Sequence, residues 1–100
     1  MSVDRAIGVI ETRGMTGAIA GTDAMVKAAH VEVVRMDKPG SAYVAVLIRG
    51  DVASVKAALD AGAEAAAKHG DLVSVHVIAS PHPTTTAILD LDRRLEGTQK

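Results

Sequence analysis

The stretch that most restricts the fold of this chain is DKPGSAY, residues 37–43, which separates two strand-like runs at 31–36 and 44–49. A proline followed by glycine between two such runs predicts a hairpin. Proline pre-sets φ at the second turn position, and glycine accepts the positive φ needed at the third, so a type II turn is expected over residues 38–41. The tip would be stiff and small, rich in backbone N–H groups, with the Ser41 hydroxyl and the Lys38 cation beside it. One copy of such a loop does no chemistry. Several copies gathered around a rotation axis would line a narrow polar opening.

The remainder of the chain reads as two βα halves joined by that hairpin. Residues 6–11 (AIGVIE) form a short strand in which Gly8 invites close packing of a neighbouring element. Residues 15–29 read as a helix whose expected buried face is Met15, Ala18, Ile19, Thr22, Met25, Val26 and Ala29. Asp23 and Lys27 form an i,i+4 pair on its wet side, and Gly17 and Gly21 leave a smooth groove. In the run 31–36, Val31, Val33 and Arg35 alternate with Glu32, Val34 and Met36, whereas 44–49 is almost continuously apolar, as in a central strand. Asp51 is placed to cap a second helix that ends near His69, with Gly70 as its C′ residue. Val52, Val55, Leu59, Gly62 and Ala66 form its apolar stripe. Residues 72–78 give a fourth strand, with Val73, Val75 and Val77 on one side and Ser74, His76 and Ile78 on the other. After the SPHP break, residues 84–95 suggest a short C-terminal helix in which Ile88, Leu91 and Leu95 share a side.

The expected fold class is therefore α+β: a ferredoxin-like β-α-β-β-α-β antiparallel sheet with its helices on one face, plus the short terminal helix. The second face of the sheet would be uncovered in a monomer while carrying apolar residues, a mark of association. Composition agrees. Apolar residues are 48% of the chain, yet Tyr43 is its one aromatic, and alanine and valine dominate the rest. Small side chains bury little area each, at about 25 cal/mol per Å², so burial between subunits is expected to supplement a thin core.

Other function classes fit poorly. A net charge of −1 and one aromatic leave neither a basic footprint nor a stacking platform for nucleic acid. With no cysteine, disulfides and thiolate metal sites are excluded, and a reducing cytoplasm is the expected compartment. No run approaches the roughly 20 apolar residues that span a bilayer, and MSVDR has no signal-peptide core. His30, His69, His76 and His82 show no zinc-site spacing, and no base–orienter pair can be named for Ser41. Residues 14–17 (GMTG) lack the spacing and Lys-Ser/Thr end of a phosphate loop. The expectation is no enzyme, no metal and no cofactor.

Four segments in order, AIGVIETRGMTGAIAGTDAMVKAA (6–29), KPGSA (38–42), LIRGDVASVKAALDAG (47–62) and HVIASPH (76–82), resemble the hexamer-forming shell proteins of bacterial microcompartments. The resemblance runs over residues 6–89 and implies one shell domain, residues 1–100, with a core at 6–89 and a tail at 90–100. It implies cyclic hexamers that tile into sheets within the cytoplasm, around a central pore for small polar metabolites. By position it makes Lys38, Pro39, Gly40, Ser41 and Ala42 pore-lining, with Pro39 where the family more often has a branched apolar residue and Ala42 where it more often has glycine. Both changes should stiffen the constriction. Lys27 resembles the edge lysine of the hexamer–hexamer boundary, with His30 where asparagine is commoner. Ser80, Pro81 and His82 match an edge motif in which arginine usually precedes the proline, so attachment is expected to be weaker or to use His30 and His82. The implied partners are copies of itself, other shell proteins, vertex proteins and amphipathic helices of encapsulated enzymes. The residues alone also allow a ferredoxin-like regulatory domain that binds a small molecule as a dimer or trimer.

Overall fold

The computed structural model of the chain describes residues 5–79. Its elements run β1 (Arg5–Arg13), α1 (Met15–Ala28), β2 (Glu32–Gly40), β3 (Tyr43–Asp51), α2 (Val52–His69) and β4 (Asp71–Ala79). The four strands form one sheet in the order β2-β3-β1-β4, and every neighbouring pair is antiparallel. This is the α+β class expected. The expected C-terminal helix lies outside the described residues.

Strand β1 shows why both helices sit on one side. Its even-numbered residues Ala6, Gly8, Ile10 and Thr12 are all buried. A Cβ on Gly8 would meet Val55, Ile48 and Leu59 at 2.9–3.1 Å, so α2 lies directly over that glycine. Across β3, the same layer holds Ile48, Val46 and Val44, opposite Gly8, Ile10 and Thr12. The core is this layer together with Ala18 and Met25 of α1 and Val55, Ala58, Leu59 and Ala66 of α2. On the second face, expected to be uncovered in a monomer, Ile7 and Leu47 of the two central strands are nevertheless buried.

Helix α1 is rotated from its expected setting. Its buried residues are Gly17, Ala18, Gly21 and Met25, whereas Ile19 and Val26 are 57% and 46% exposed. The cause is the glycine groove: a Cβ on Gly21 would lie 3.2 Å from the Gly62 carbonyl oxygen, so the two helix backbones are nearly in contact. Close backbone approach outweighed burial of two branched side chains. Helix α2 keeps its expected stripe, with Ala58 added and Val52 half-buried. Its cap is the one expected: the Ser54 N–H donates to Asp51 Oδ1 at 2.9 Å, and the Ser54 hydroxyl donates to Oδ2 at 3.0 Å.

Gly70 has a different job from the one expected. Its φ is −172°, extended backbone open to any residue. What requires glycine is space, because a Cβ there would stand 2.8 Å from the Gly17 nitrogen and 2.9 Å from its Cα.

Candidate functional site

The hairpin is longer and turns later than the type II expectation. Strands β2 and β3 pair as far as Gly40 and Tyr43, so the turn is centred on Ser41 and Ala42. Ser41 has φ +53°, giving positive φ at the first central position alone, the sign pattern of a type II′ hairpin. Gly40 has φ +153°, a conformation L residues avoid. Pro39 falls within a register shift between Asp37 and Gly40, where its missing N–H interrupts no regular ladder. A second shift, between Val33 and Arg35, breaks the alternation expected of β2. The preference for primed turns follows from strand twist, which type II would oppose.

The tip is held from one side and open on the other. The Gly14 N–H donates to the Ala42 carbonyl at 2.6 Å, fastening the hairpin to the β1–α1 corner. The Thr12 hydroxyl, buried beneath, donates to the Gly14 carbonyl at 3.0 Å. Arg13 donates to the Tyr43 hydroxyl at 3.2 Å and lies 5.5 Å from the ring centroid. That hydrogen bond holds the guanidinium pKa above its ordinary value. Lys38, Pro39, Gly40, Ser41 and Ala42 are all exposed, and a Cβ on Gly40 would meet nothing within 4 Å. Beside them an open hollow of about 420 Å³ is lined by Glu11, Pro39, Gly40, Ser41, Tyr43 and Val73. Glu11 accepts a hydrogen bond from the Ser74 hydroxyl within it. These clamps were not read from the sequence; a lone tyrosine next to the turn and an arginine ending β1 are the traces they leave there.

The residues expected at an outer edge lie at the other end of the molecule. Helix α1 starts beside the tip and ends at Ala28, so Lys27 and His30 share the end where Arg5 pairs with Asp51 and Glu32 with Arg49 in the strand register. Nine residues at about 3.3 Å each put the two ends of β1 roughly 26 Å apart. Lys27 Nζ is 3.0 Å from Asp23 Oδ2, and both side chains are mostly exposed. His30 is exposed and lines a hollow of about 340 Å³ with Arg5, Val31, Glu32, Arg49 and Gly50. Arg49 Nε donates to Glu32 Oε1 at 3.0 Å and holds that carboxyl below its ordinary pKa. Ser80, Pro81 and His82 lie outside the described residues. Among the described residues, no three His, Asp or Glu side chains converge as a metal site, and no helix is long and apolar enough to cross a membrane.

Comparison with known proteins places the chain in a family. A profile described as the BMC domain matches residues 6–81. The chain is 52% identical over 84 residues to the bacterial microcompartment shell protein PduA of Citrobacter freundii, covering 84% of this chain and 90% of that one. It is 54% identical over 77 residues to the shell protein EutM of Salmonella typhimurium, covering 77% and 80%. With the carboxysome shell protein CsoS1B of Hydrogenovibrio crunogenus the identity is 46% over 90 residues, covering 89% and 93%. Among solved structures, a microcompartment protein from Desulfitobacterium hafniense superposes with TM-score 0.69 at 31% identity. That match covers 74% of this chain, which spans 40% of the length of that one.

Proposed function

The chain belongs to the BMC-domain family of bacterial microcompartment shell proteins, and from that premise we propose that it acts as a cyclic hexamer with a pore on its axis. It is a structural component of a microcompartment shell within the cytoplasm, not an enzyme. The strand order β2-β3-β1-β4 is read as the ferredoxin-like arrangement, and residues 1–100 as a single shell domain with its core at 6–89.

One observation carries the pore reading: the exposed tip and the exposed Lys27–His30 corner occupy opposite ends of the strands. A wedge with one end at an axis and the other at a perimeter needs that separation. Six tips would present Gly40, Ser41 and Ala42 to a common opening, with Lys38 and Pro39 behind them. Backbone N–H groups and serine hydroxyls there favour small polar or anionic solutes and offer little to apolar ones. The perimeter contact between rings would be an isologous two-fold around Lys27 and His30, joined by Ser80, Pro81 and His82. Other shell proteins are partners in this role, and vertex proteins and amphipathic helices of enclosed enzymes are proposed to meet the same sheets.

Electron microscopy of the purified chain tests the reading. Rings of six with a central opening, stacking edge to edge into sheets at high concentration, are expected. Lys27→Glu should leave the rings and remove the sheets. Sheets that persist would remove Lys27 from the edge; an assembly of two or three chains would overturn the hexamer and favour a regulatory domain.

A further inference from the structure

Charge is unevenly distributed over this molecule. The chain carries a net charge of −1, yet at the corner where β1 and β2 begin and β3 ends, Arg5 and Arg49 share a hollow of about 340 Å³ with one carboxylate, Glu32. The strand register explains the convergence. Glu32 stands directly opposite Arg49 on one side, and Ile7 stands opposite it on the other. Arg5, two residues before Ile7, is therefore a diagonal neighbour of Arg49 on the same face of the sheet. His30 and Val31 close the hollow from the connection between α1 and β2. Gly50 completes it: a Cβ there would lie 3.2 Å from the His30 carbonyl oxygen, so the β3 backbone rests against that connection.

The Glu32 carboxylate holds the place of an anion in this hollow. Arg49 donates to it through Nε, at 3.0 Å, and no other hydrogen bond of Arg49 occurs among the described residues, although a guanidinium presents its N–H groups as a planar fork. That hydrogen bond is the main cause of the lowered Glu32 pKa, and the charge of Arg5 adds to it. The Glu32 side chain is 63% exposed, so it can turn out to water with little packing lost. Asp51, opposite Arg5 in the register, is held at its cap by the N–H and hydroxyl of Ser54. Two guanidinium groups repel a metal cation. A free monocarboxylate offers nothing that the tethered Glu32 does not already supply at high effective concentration. A phosphoryl group offers more, with about two negative charges and enough acceptor oxygens for both forks at once.

We propose that this corner binds a small phosphoryl anion, free phosphate or a phosphate monoester, which displaces the Glu32 carboxylate and bridges Arg5 and Arg49. His30 supplies a ring N–H at the rim, and the half-buried Val31 is the apolar wall against which an ester's organic part rests. The site lies at the far end of β1 from the hairpin tip and is complete within one chain, so it does not rest on the pore or on the number of chains in a ring.

Phosphorus NMR titration of the full chain, at fixed ionic strength and too dilute to form sheets, tests this with inorganic phosphate and glycerol phosphate as probes. Saturable binding is expected, undisturbed by acetate at the same concentration. Arg49→Gln should weaken it about tenfold, through loss of charge-assisted hydrogen bonds. Arg49→Lys, which keeps the charge and loses the fork, should fall between that variant and the natural chain. Glu32→Gln should strengthen binding about two- to fivefold, because it removes an exposed competing charge. That gain separates a displaceable placeholder from a carboxylate that only braces the corner. An unchanged circular dichroism spectrum confirms that each variant folds, and Arg5→Gln, at an exposed position, repeats the loss where Arg49→Gln disturbs folding. Tighter binding of glycerol phosphate assigns the site to monoesters through Val31, and equal binding assigns it to free phosphate. A titration that does not saturate, acetate that competes as well as phosphate, or Glu32→Gln that leaves binding unchanged or weaker overturns the proposal. Light scattering of the same samples reports the ring separately, so either reading can fail alone.

Discussion

Glycines set the spacing of this molecule more than its apolar residues do. Gly17, Gly21, Gly62 and Gly70 bring the backbones of α1 and α2 together, and the tightest of these approaches that involves backbone alone is Gly70 on Gly17. Gly70→Ala therefore tests packing apart from conformation, since its φ suits alanine. Displacing backbone atoms 2.8 and 2.9 Å away should cost about 1–3 kcal/mol, the range for overpacked interiors, read as a lower urea midpoint. That Gly17 and Gly21 form a groove is legible in the sequence from their spacing. That Gly70 fills a gap opposite Gly17 is not, because the two are brought together only by the crossing of the helices.

At the level of elements, the second helix and its cap were legible and the hairpin turn was not. Asp51 just ahead of the apolar stripe reads as a helix cap, and in the structure it accepts from both the N–H and the hydroxyl of Ser54. Those bonds, the Ser54 N–H first, hold the Asp51 carboxyl below its ordinary pKa. A carboxyl whose folded pKa is depressed contributes its full stabilisation above the unfolded pKa and loses it as pH falls through the folded value, here below about pH 4. Asp51→Asn still caps but does not titrate. The stability advantage of the natural chain over this variant should shrink on acidification through that window, measured as melting temperature against pH; a constant difference would exclude the linkage. The turn, by contrast, is decided by the pairing of β2 and β3 beyond Pro39. Local residue preference places it at Pro39–Gly40, and strand twist moves it to Ser41–Ala42.

For the whole molecule the question is where enough burial comes from. The buried apolar set contains no aromatic and several alanines, which is little for a chain of this size to depend on alone. If the exposed apolar side chains of β4, Val73, Val75, Val77 and Ile78, are covered in a ring, unfolding is linked to dissociation, and the melting temperature should rise with protein concentration. Calorimetry over a hundredfold dilution series checks this. A melting temperature independent of concentration, in a sample that scattering shows to be dissociating, would place the stability inside the single chain.

The order of strands and helices, the Asp51 cap, the central apolar strand β3 and the family were all determined by the sequence by itself, because each depends on local spacing or on an ordered set of motifs. Which side of α1 is buried, where the hairpin turns, why Gly70 is glycine, and which edges remain apolar and open were decided by tertiary structure alone. Periodicity identifies the residues that could be covered. Only the approach of one backbone to another selects the ones that are, and close glycine contacts between α1 and α2 made that selection here.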